Sequence, residues 1–441
     1  MTLLIISPDY ASHLYPLAAL GTSWLEAGER VMVATGQATA GIVKSFGFEH
    51  VPLRLSRGSN PGVIRAEEQP QGEDDALRGF FAATRLGMIE TLSFQAEARM
   101  NDLMWEPVAT ARAVQEIVEK TEPQTIIVDH LAFSARLGLL AAGREHIDVV
   151  LGHPTALPLP AASEVYGLPP AWPAAFNPST QEVNELRALC TKVADTFTAQ
   201  WNAALAVLAP HAKPSSDAFA EHGDVLVFNY PAELVGANRA QHLPPHVFMG
   251  SSVRTEATEA HIDDWISSSD EPFVYVSFGS FLSVRGDVLR KVVTALKQSG
   301  LRAAVAYGSA DRDSLGSLPE HWLVEEFLPQ VCLLGSAAAA VTHGGNNSVT
   351  ESLTFGVPTV VLPFSTDQFA GAAALESVGF GTALAPNTVT VEELQTALAA
   401  MLALPEHTRK ELHELGKNLR EGSGHSRLQS LFNTSPGLPS G

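Results

Sequence analysis

Phe327 opens the run Phe-Leu-Pro-Gln330, and after it come His343-Gly-Gly-Asn-Asn-Ser-Val-Thr-Glu351, Gly356-Val-Pro and Pro363-Phe-Ser-Thr-Asp367-Gln368. These residue types at this spacing suit recognition of a phosphorylated, hydroxyl-rich ligand. Gly344 and Gly345 let the main chain approach an anion closely, and a helix starting near Asn346 aims its unpaired N–H groups and positive dipole end at it. His343, Ser348 and, after an earlier apolar run, Ser280 could donate hydrogen bonds to the same anion. Asn347 and Glu351 are four apart on one helix face, so an acid lies one turn deeper, where a carboxylate can accept from two ribose hydroxyls. Each piece alone is more readily a turn, a solvated helix face or a strand entrance. Together, over about forty residues, they read as a site.

A second pair lies far upstream. His13 follows the apolar run of residues 3–6, in Pro8-Asp-Tyr-Ala-Ser-His-Leu-Tyr-Pro16, and Asp129 ends the run Thr-Ile-Ile-Val-Asp. If both runs are parallel strands of one sheet, the two side chains emerge on the same edge. An imidazole titrates near neutral pH, and a carboxylate on its other nitrogen fixes the tautomer and stabilises the imidazolium, which is the arrangement of a general base. The alternative is that each residue caps the helix after it. His130 competes for the acid's place, and His153 could line a neighbouring pocket. Asp311-Arg-Asp313 sits in a polar loop and Asp74-Asp75 reads as an exposed acidic loop. No metal is expected, because a helix terminus can already serve a diphosphate.

Placing these groups requires alternating strands and helices. A strand at 3–7, a helix carrying Leu17, Leu20, Trp24 and Leu25, and a strand at 31–35 open a parallel sheet, with Pro16 expected in the helix's first turn and Gly28 past its end. A helix around 114–118, a strand at 125–129 and a helix from Phe133 continue it. Residues 56–76, rich in Gly, Pro and charge, read as a long loop. Pro231, Gly236, Pro244, Pro245 and Gly250 mark a boundary, after which a strand from Phe273, a helix at 287–297, strands at 301–307 and 339–342, a helix at 347–355, a strand at 359–362 and a helix at 369–378 form a second half. The expected class is α/β: two facing Rossmann-like doubly wound parallel-sheet domains with a cleft between them. The expected bounds are 1–235, a linker at 236–258, 259–405, a helical segment at 406–431 and a disordered tail at 432–441.

Composition narrows the classes. A chain of 441 residues exceeds a single ordinary core and fits two domains. With 45% hydrophobic and 17% charged residues it has enough apolar surface to bury and is not disordered. The formal charge of -20 argues against a nucleic-acid partner. Cys190 and Cys332 form no Cys-x-x-Cys pair, so neither a disulfide framework nor a zinc site is suggested. No run approaches the ~20 apolar residues of a membrane span, and residues 3–6 read as a buried strand rather than a signal. A cytoplasmic protein without an integral membrane segment, monomer or homodimer, is the expectation.

The segment 327–368 resembles the signature of family 1 UDP-dependent glycosyltransferases of the GT-B fold, of the bacterial natural-product and macrolide type. The resemblance implies that Phe327 stacks on uracil, that Gln330 and Glu351 hold ribose, that Ser280, His343, Gly345, Asn347 and Ser348 hold the diphosphate, and that Asp367 and Gln368 read the sugar. The surroundings of His13 and Asp129 resemble the family's base and its orienting acid. Plant members carry Trp where this chain has Phe327 and again where it has Asn346. The implied reaction is inverting, metal-independent and cofactor-free. It would move a hexose from a UDP-sugar, UDP-glucose first, to a hydroxyl of a small hydrophobic acceptor such as a polyketide, macrolide or phenolic. Some of Phe80, Met88, Met104, Trp105, Trp172 and Trp201 are expected to line the acceptor pocket. A lipid acceptor, or a non-catalytic helper that keeps the fold and partners an active transferase, are the competing readings.

Overall fold

The structure is a computed structural model that describes residues 1–60, 62, 73–256 and 258–421. Short, almost continuously apolar runs form its strands, as expected of parallel sheets covered on both faces. The first sheet contains β1 (Thr2–Ile6), β2 (Arg30–Thr35), β3 (Glu49–Pro52), β4 (Thr125–Asp129), β5 (Ile147–Val150), β6 (Val225–Phe228) and β7 (His246–Phe248), in the order 3-2-1-4-5-6-7. The second contains β8 (Phe273–Ser277), β9 (Arg302–Ala306), β10 (Leu323–Glu325), β11 (Ala339–Thr342), β12 (Thr359–Val361) and β13 (Gly381–Ala383), in the order 10-9-8-11-12-13. Every strand pair is parallel. Chain direction across each sheet reverses once, between β1 and β4 and between β8 and β11. Those are the points where such sheets open a crevice beyond their carboxyl ends.

Three details differ from the sequence reading. Pro16 is not in the first turn of its helix. The helix spans Ala11–Glu26 and Pro16 lies inside it. A proline there leaves the carbonyl four residues earlier, that of Ser12, without its helical donor. Asn347 of the second domain supplies one instead, its Nδ2 donating to Ser12 O at 2.7 Å. The stretch expected as a linker also extends the first sheet, since β7 pairs with β6 through residues 246–248. Three residues give too short a pattern to stand out among prolines. Within the expected long loop, residues 61 and 63–72 lie outside those described, while its end is already helical in Glu73–Leu86. The helix Glu406–Glu421 packs on the second domain, burying Leu412, Leu415 and Leu419 in its core, and the expected tail lies outside the described residues.

The two domains share buried surface. Leu77, Phe80 and Phe81 from the helix Glu73–Leu86, Phe228 at the end of β6 and Tyr230 beyond it belong to the same apolar cluster as Val276 of β8 and Phe278 just after that strand. Beside them, buried Arg285 donates to Thr84 O at 2.9 Å and to Asp287 and Asn387, fastening that helix to the second domain.

The helix Glu406–Glu421 touches the end of the helix Asn346–Thr354 through bare backbone: a Cβ at Gly416 would lie 2.9 Å from Gly356 N and from Leu353 O. Because backbone cannot swing aside, Gly416→Ala should destabilise by about 1–3 kcal/mol. Gly41→Ala, in a helix with open space at the Cβ, should instead be neutral or stabilising by about 0.4–1 kcal/mol. Urea midpoints of the two variants check this, and equal midpoints would show that the helix contact is not tight.

Candidate functional site

β1 and β4 are neighbours across the first reversal point, and each delivers one side chain to the sheet edge. His13 stands in the first turn of the helix Ala11–Glu26, and Asp129 is the last residue of β4. Their Nδ1 and Oδ2 are 2.7 Å apart, and the other carboxylate oxygen accepts from Leu131 N–H at 2.8 Å. The Asp129 side chain is 0% exposed and that of His13 22%, so the imidazole alone reaches the cleft. A carboxylate only accepts, so Nδ1 carries the proton and Nε2 is the basic atom. Burial works to lower the His13 pKa, but the charge and hydrogen bond of Asp129, joined by the charge of Asp367 from the facing domain, hold it above the usual histidine range.

β8 and β11 flank the second reversal point. Gly279 and Gly345 stand against the His343 ring, and a Cβ on either would collide with it. Burial, against the opposing charge of Asp367, brings the His343 pKa down to about 4, so the ring is neutral at pH 7. Its Nδ1 is buried without a partner. An orphaned lone pair is tolerated better than an orphaned N–H, which places the proton on Nε2, toward the cavity the ring lines. The helix Asn346–Thr354 begins after Gly345 with no side-chain cap, and Val349 is its first residue to donate back, to Gly345 O at 3.0 Å. The N–H groups of Asn346, Asn347 and Ser348 therefore have no intrahelical partner and mark the positive end of the helix dipole. Ser280 lies in the short helix Gly279–Leu282, and its side chain is outside the described set.

One turn deeper, buried Glu351 accepts from Gln330 Nε2 at 2.6 Å and from Arg254 at 3.1 Å. Burial outweighs these partners and raises its pKa. Arg254 also pairs with Glu256 and lies 4.5 Å from the Tyr15 ring centroid. Sequence reasoning missed both Arg254 and Glu256, because they sit in a stretch without periodicity. Phe327 is 63% exposed at the cavity rim, an open ring face. Asp367 accepts from the His153 N–H at 2.7 Å. Gln368 is turned into its own loop, its Oε1 accepting from Phe364 and Ser365 N–H and its Nε2 donating to Ser365. Asn346, like Asn347, crosses between domains, donating to Leu151 O and Asn229 O.

The dyad and the helix start face one cavity of about 740 Å³. Phe80 lines it, whereas Met104 and Trp201 belong to a core behind it; Leu77, Phe94, Tyr166 and Leu168 supply the wall that the sequence did not single out. His153 does not line the cavity; its ring bonds Thr155 and packs against Tyr230. His130 is not the partner of His13 either, since it is buried against Asp148, which Arg136 also contacts. Asp311 closes a local turn by accepting from Asp313 N–H.

The electrostatics of the dyad can be read directly. NMR titration should place the His13 pKa above 6.5. Asp129→Asn should move it below 6.5, because the charge that opposes burial is gone. A His13 value that stays put in the variant would show that Asp129 does not set it.

Residues 226–413 match the sequence model of the family described as UDP-glucoronosyl and UDP-glucosyl transferase. An NDP-glycosyltransferase, YjiC, of Bacillus licheniformis is 27% identical over 178 residues, 40% of this chain and 45% of that protein, so the match spans under half the relative's length. Among solved structures, the glycotransferase of kitacinnamycin superposes with a TM-score of 0.68 at 20% identity, covering 99% of both chains. The glycosyltransferase VinC, solved in complex with dTDP, does so with 0.67 at 17% identity, covering 98% of this chain and 99% of its own. At those identities the superpositions speak for the fold, which is GT-B. The second domain thus carries the sequence pattern of the UDP-glucoronosyl and UDP-glucosyl transferase family, and the GT-B architecture extends over the whole length.

Proposed function

We propose that this protein transfers a hexose from a UDP-sugar, UDP-glucose in the first place, to a hydroxyl of a small lipophilic acceptor, with inversion at the anomeric carbon. The observation that carries this reading is the His13–Asp129 pair, 2.7 Å apart, facing the uncapped start of the helix Asn346–Thr354 across one cavity. The acceptor oxygen attacks the anomeric carbon while the bond from that carbon to the diphosphate oxygen breaks and its electron pair leaves with the phosphate. The hydroxyl proton passes to His13 Nε2, and Asp129 stabilises the imidazolium that forms. One in-line displacement inverts the centre. The leaving diphosphate meets the free N–H groups of residues 346–348 and His343 Nε2–H, which supply positive potential without a metal ion.

Asp367 supports a sugar position between these poles, because its charge is felt by both His13 and His343. Gln368 shapes the loop that holds Asp367. The Glu351–Gln330 pair suits a ribose, and the exposed face of Phe327 suits a stacked base. The apolar wall of Leu77, Phe80, Phe94 and Leu168 suits a hydrophobic acceptor.

His13→Ala should lower kcat by roughly 10²–10⁴-fold while calorimetric UDP affinity is retained. Undiminished turnover would end the base assignment. In wild type, kcat/KM should rise with pH through a pKa above 6.5, since His13 acts deprotonated and its pKa is raised. A limb below 6.5 would contradict that. Glu351→Gln should weaken UDP by roughly tenfold or more and dTDP, which lacks the 2′-hydroxyl, much less. Equal losses by calorimetry would remove the ribose role.

A further inference from the structure

Resting on the proposed transfer reaction, we propose that the acceptor carries a carboxylate and that Arg99 binds it. Arg99 lies in the helix Met88–Asp102, one turn after Gln95 and on the same face. Gln95 Oε1 accepts from Thr366 N–H at 3.2 Å, immediately before Asp367, so this face looks into the cleft, and both residues line the cavity. The guanidinium lies 5.1 Å from the Tyr166 ring centroid. Tyr166 is itself stacked on Phe219, 3.9 Å between centroids, which makes it a fixed platform. Gly167, at φ +87°, turns the chain beside the guanidinium, and a Cβ there would come within 2.8 Å of Nη1.

The cation is seated but not neutralised. Among the described residues, four other deep arginines meet carboxylates, Arg136 at Asp148, Arg239 at Glu164, Arg254 at Glu351 and Glu256, and Arg285 at Asp287, while buried Arg302 donates to the Trp265 and Ser269 carbonyls. No described carboxylate or carbonyl lies within hydrogen-bond reach of the Arg99 guanidinium, although the chain carries 48 acidic residues against 28 basic ones. The nearest acids of the site are engaged, Asp129 by His13 and Asp367 by the His153 N–H. They would also repel an anionic acceptor unless a cation offset them. Five planar N–H donors over an aromatic platform suit a bidentate carboxylate. Phe94, Leu131 and Leu168 around the same lobe suit the apolar body that would carry it. The acceptor would then lie with its carboxylate at Arg99 and its hydroxyl at His13. The same carboxylate chemistry could come from a uronic sugar, but Arg99 and the Tyr166 ring it stands on both belong to the first domain, whereas the helix start that would face the diphosphate belongs to the second.

The full chain can be titrated with 6-hydroxy-2-naphthoate and with its methyl ester, followed by the naphthalene fluorescence, independently of turnover. Wild type should bind the acid at least tenfold more tightly than the ester. Arg99→Met should bring the acid down to the level of the ester, and Arg99→Lys should restore part of the difference. With UDP-glucose as donor, the same ratio should show in KM and not in kcat. Equal binding of acid and ester by wild type, binding of neither, or an equal loss of both in Arg99→Met would overturn the proposal. If Arg99→Met instead costs UDP-glucuronate its affinity while UDP-glucose and naphthoate are untouched, the carboxylate is the sugar's and the acceptor assignment falls. Selective naphthoate binding without any product from UDP-glucose or other UDP-sugars would leave the carboxylate site standing and sink the transfer reaction.

Discussion

A doubly wound parallel sheet can present ligands only at the carboxyl ends of its strands, beside the point where strand order reverses. Here two such sheets are turned edge to edge, so the loops after β1 and β4 oppose those after β8 and β11. Neither edge is sufficient alone. The first brings the His13–Asp129 pair but no helix start aimed at the cleft, and the second brings unpaired N–H donors and a neutral histidine but no imidazole paired with a carboxylate. The contacts that hold the edges together come from the same loops: Asn346 and Asn347 donate to main-chain carbonyls of the first domain, and the His153 N–H donates to Asp367. Pro16 makes one of these contacts available, because a residue with an N–H in its place would engage the Ser12 carbonyl within the helix. A residue that weakens a helix locally thereby registers the two halves of the cleft.

The charge balance explains how an acidic chain can receive an anionic donor. Most arginines near the cleft are committed to carboxylates of their own, and His343 is held neutral. Attraction for a diphosphate would therefore fall to backbone dipoles, which are fixed in place and carry no counter-charge to strip away. Glu351 and Arg254 are a different case. A buried ion pair costs desolvation that its own attraction only partly returns. Two ribose hydroxyls arriving at Glu351 would add hydrogen bonds to a carboxylate that burial alone would push toward its protonated form.

How much of this was legible in the sequence follows from the topology. The loops from Phe327 to Gln368 leave the strands β10, β11 and β12, which follow one another along the chain, so one edge of one sheet is compressed into a local pattern. His13 and Asp129 are 116 positions apart, and linking them required the assumption that both strands are parallel and adjacent, a statement about fold rather than spacing. Arg254 had no pattern to sit in, and Arg99 belongs to no motif of the sequence, since only the fold brings Gly167 and Tyr166 beside it. Of the large side chains expected at a pocket, Phe80 lines the cavity while Met104 and Trp201 went to the core, and Phe94 and Leu77 joined the wall, because large side chains are common in cores and cavities alike. Pro16 was placed in the first turn by its usual preference, which holds for isolated helices and yields when a tertiary donor is at hand.

The same asymmetry bears on how members of such a family diverge. A donor edge built from consecutive loops and backbone donors tolerates few changes, since the groups that act are N–H atoms whose geometry depends on glycines packed against His343 and on a helix braced by bare backbone at Gly416. The acceptor edge is built from side chains of several helices and turns, brought together only by folding. Each of them can change without disturbing a hydrogen-bonded scaffold, provided its volume is kept. The match to the family's sequence pattern accordingly falls on residues 226–413, while the first domain is recognised by its architecture. Specificity for the acceptor should then be sought in the first domain, outside residues 226–413, in side chains that face the cleft without being part of its frame.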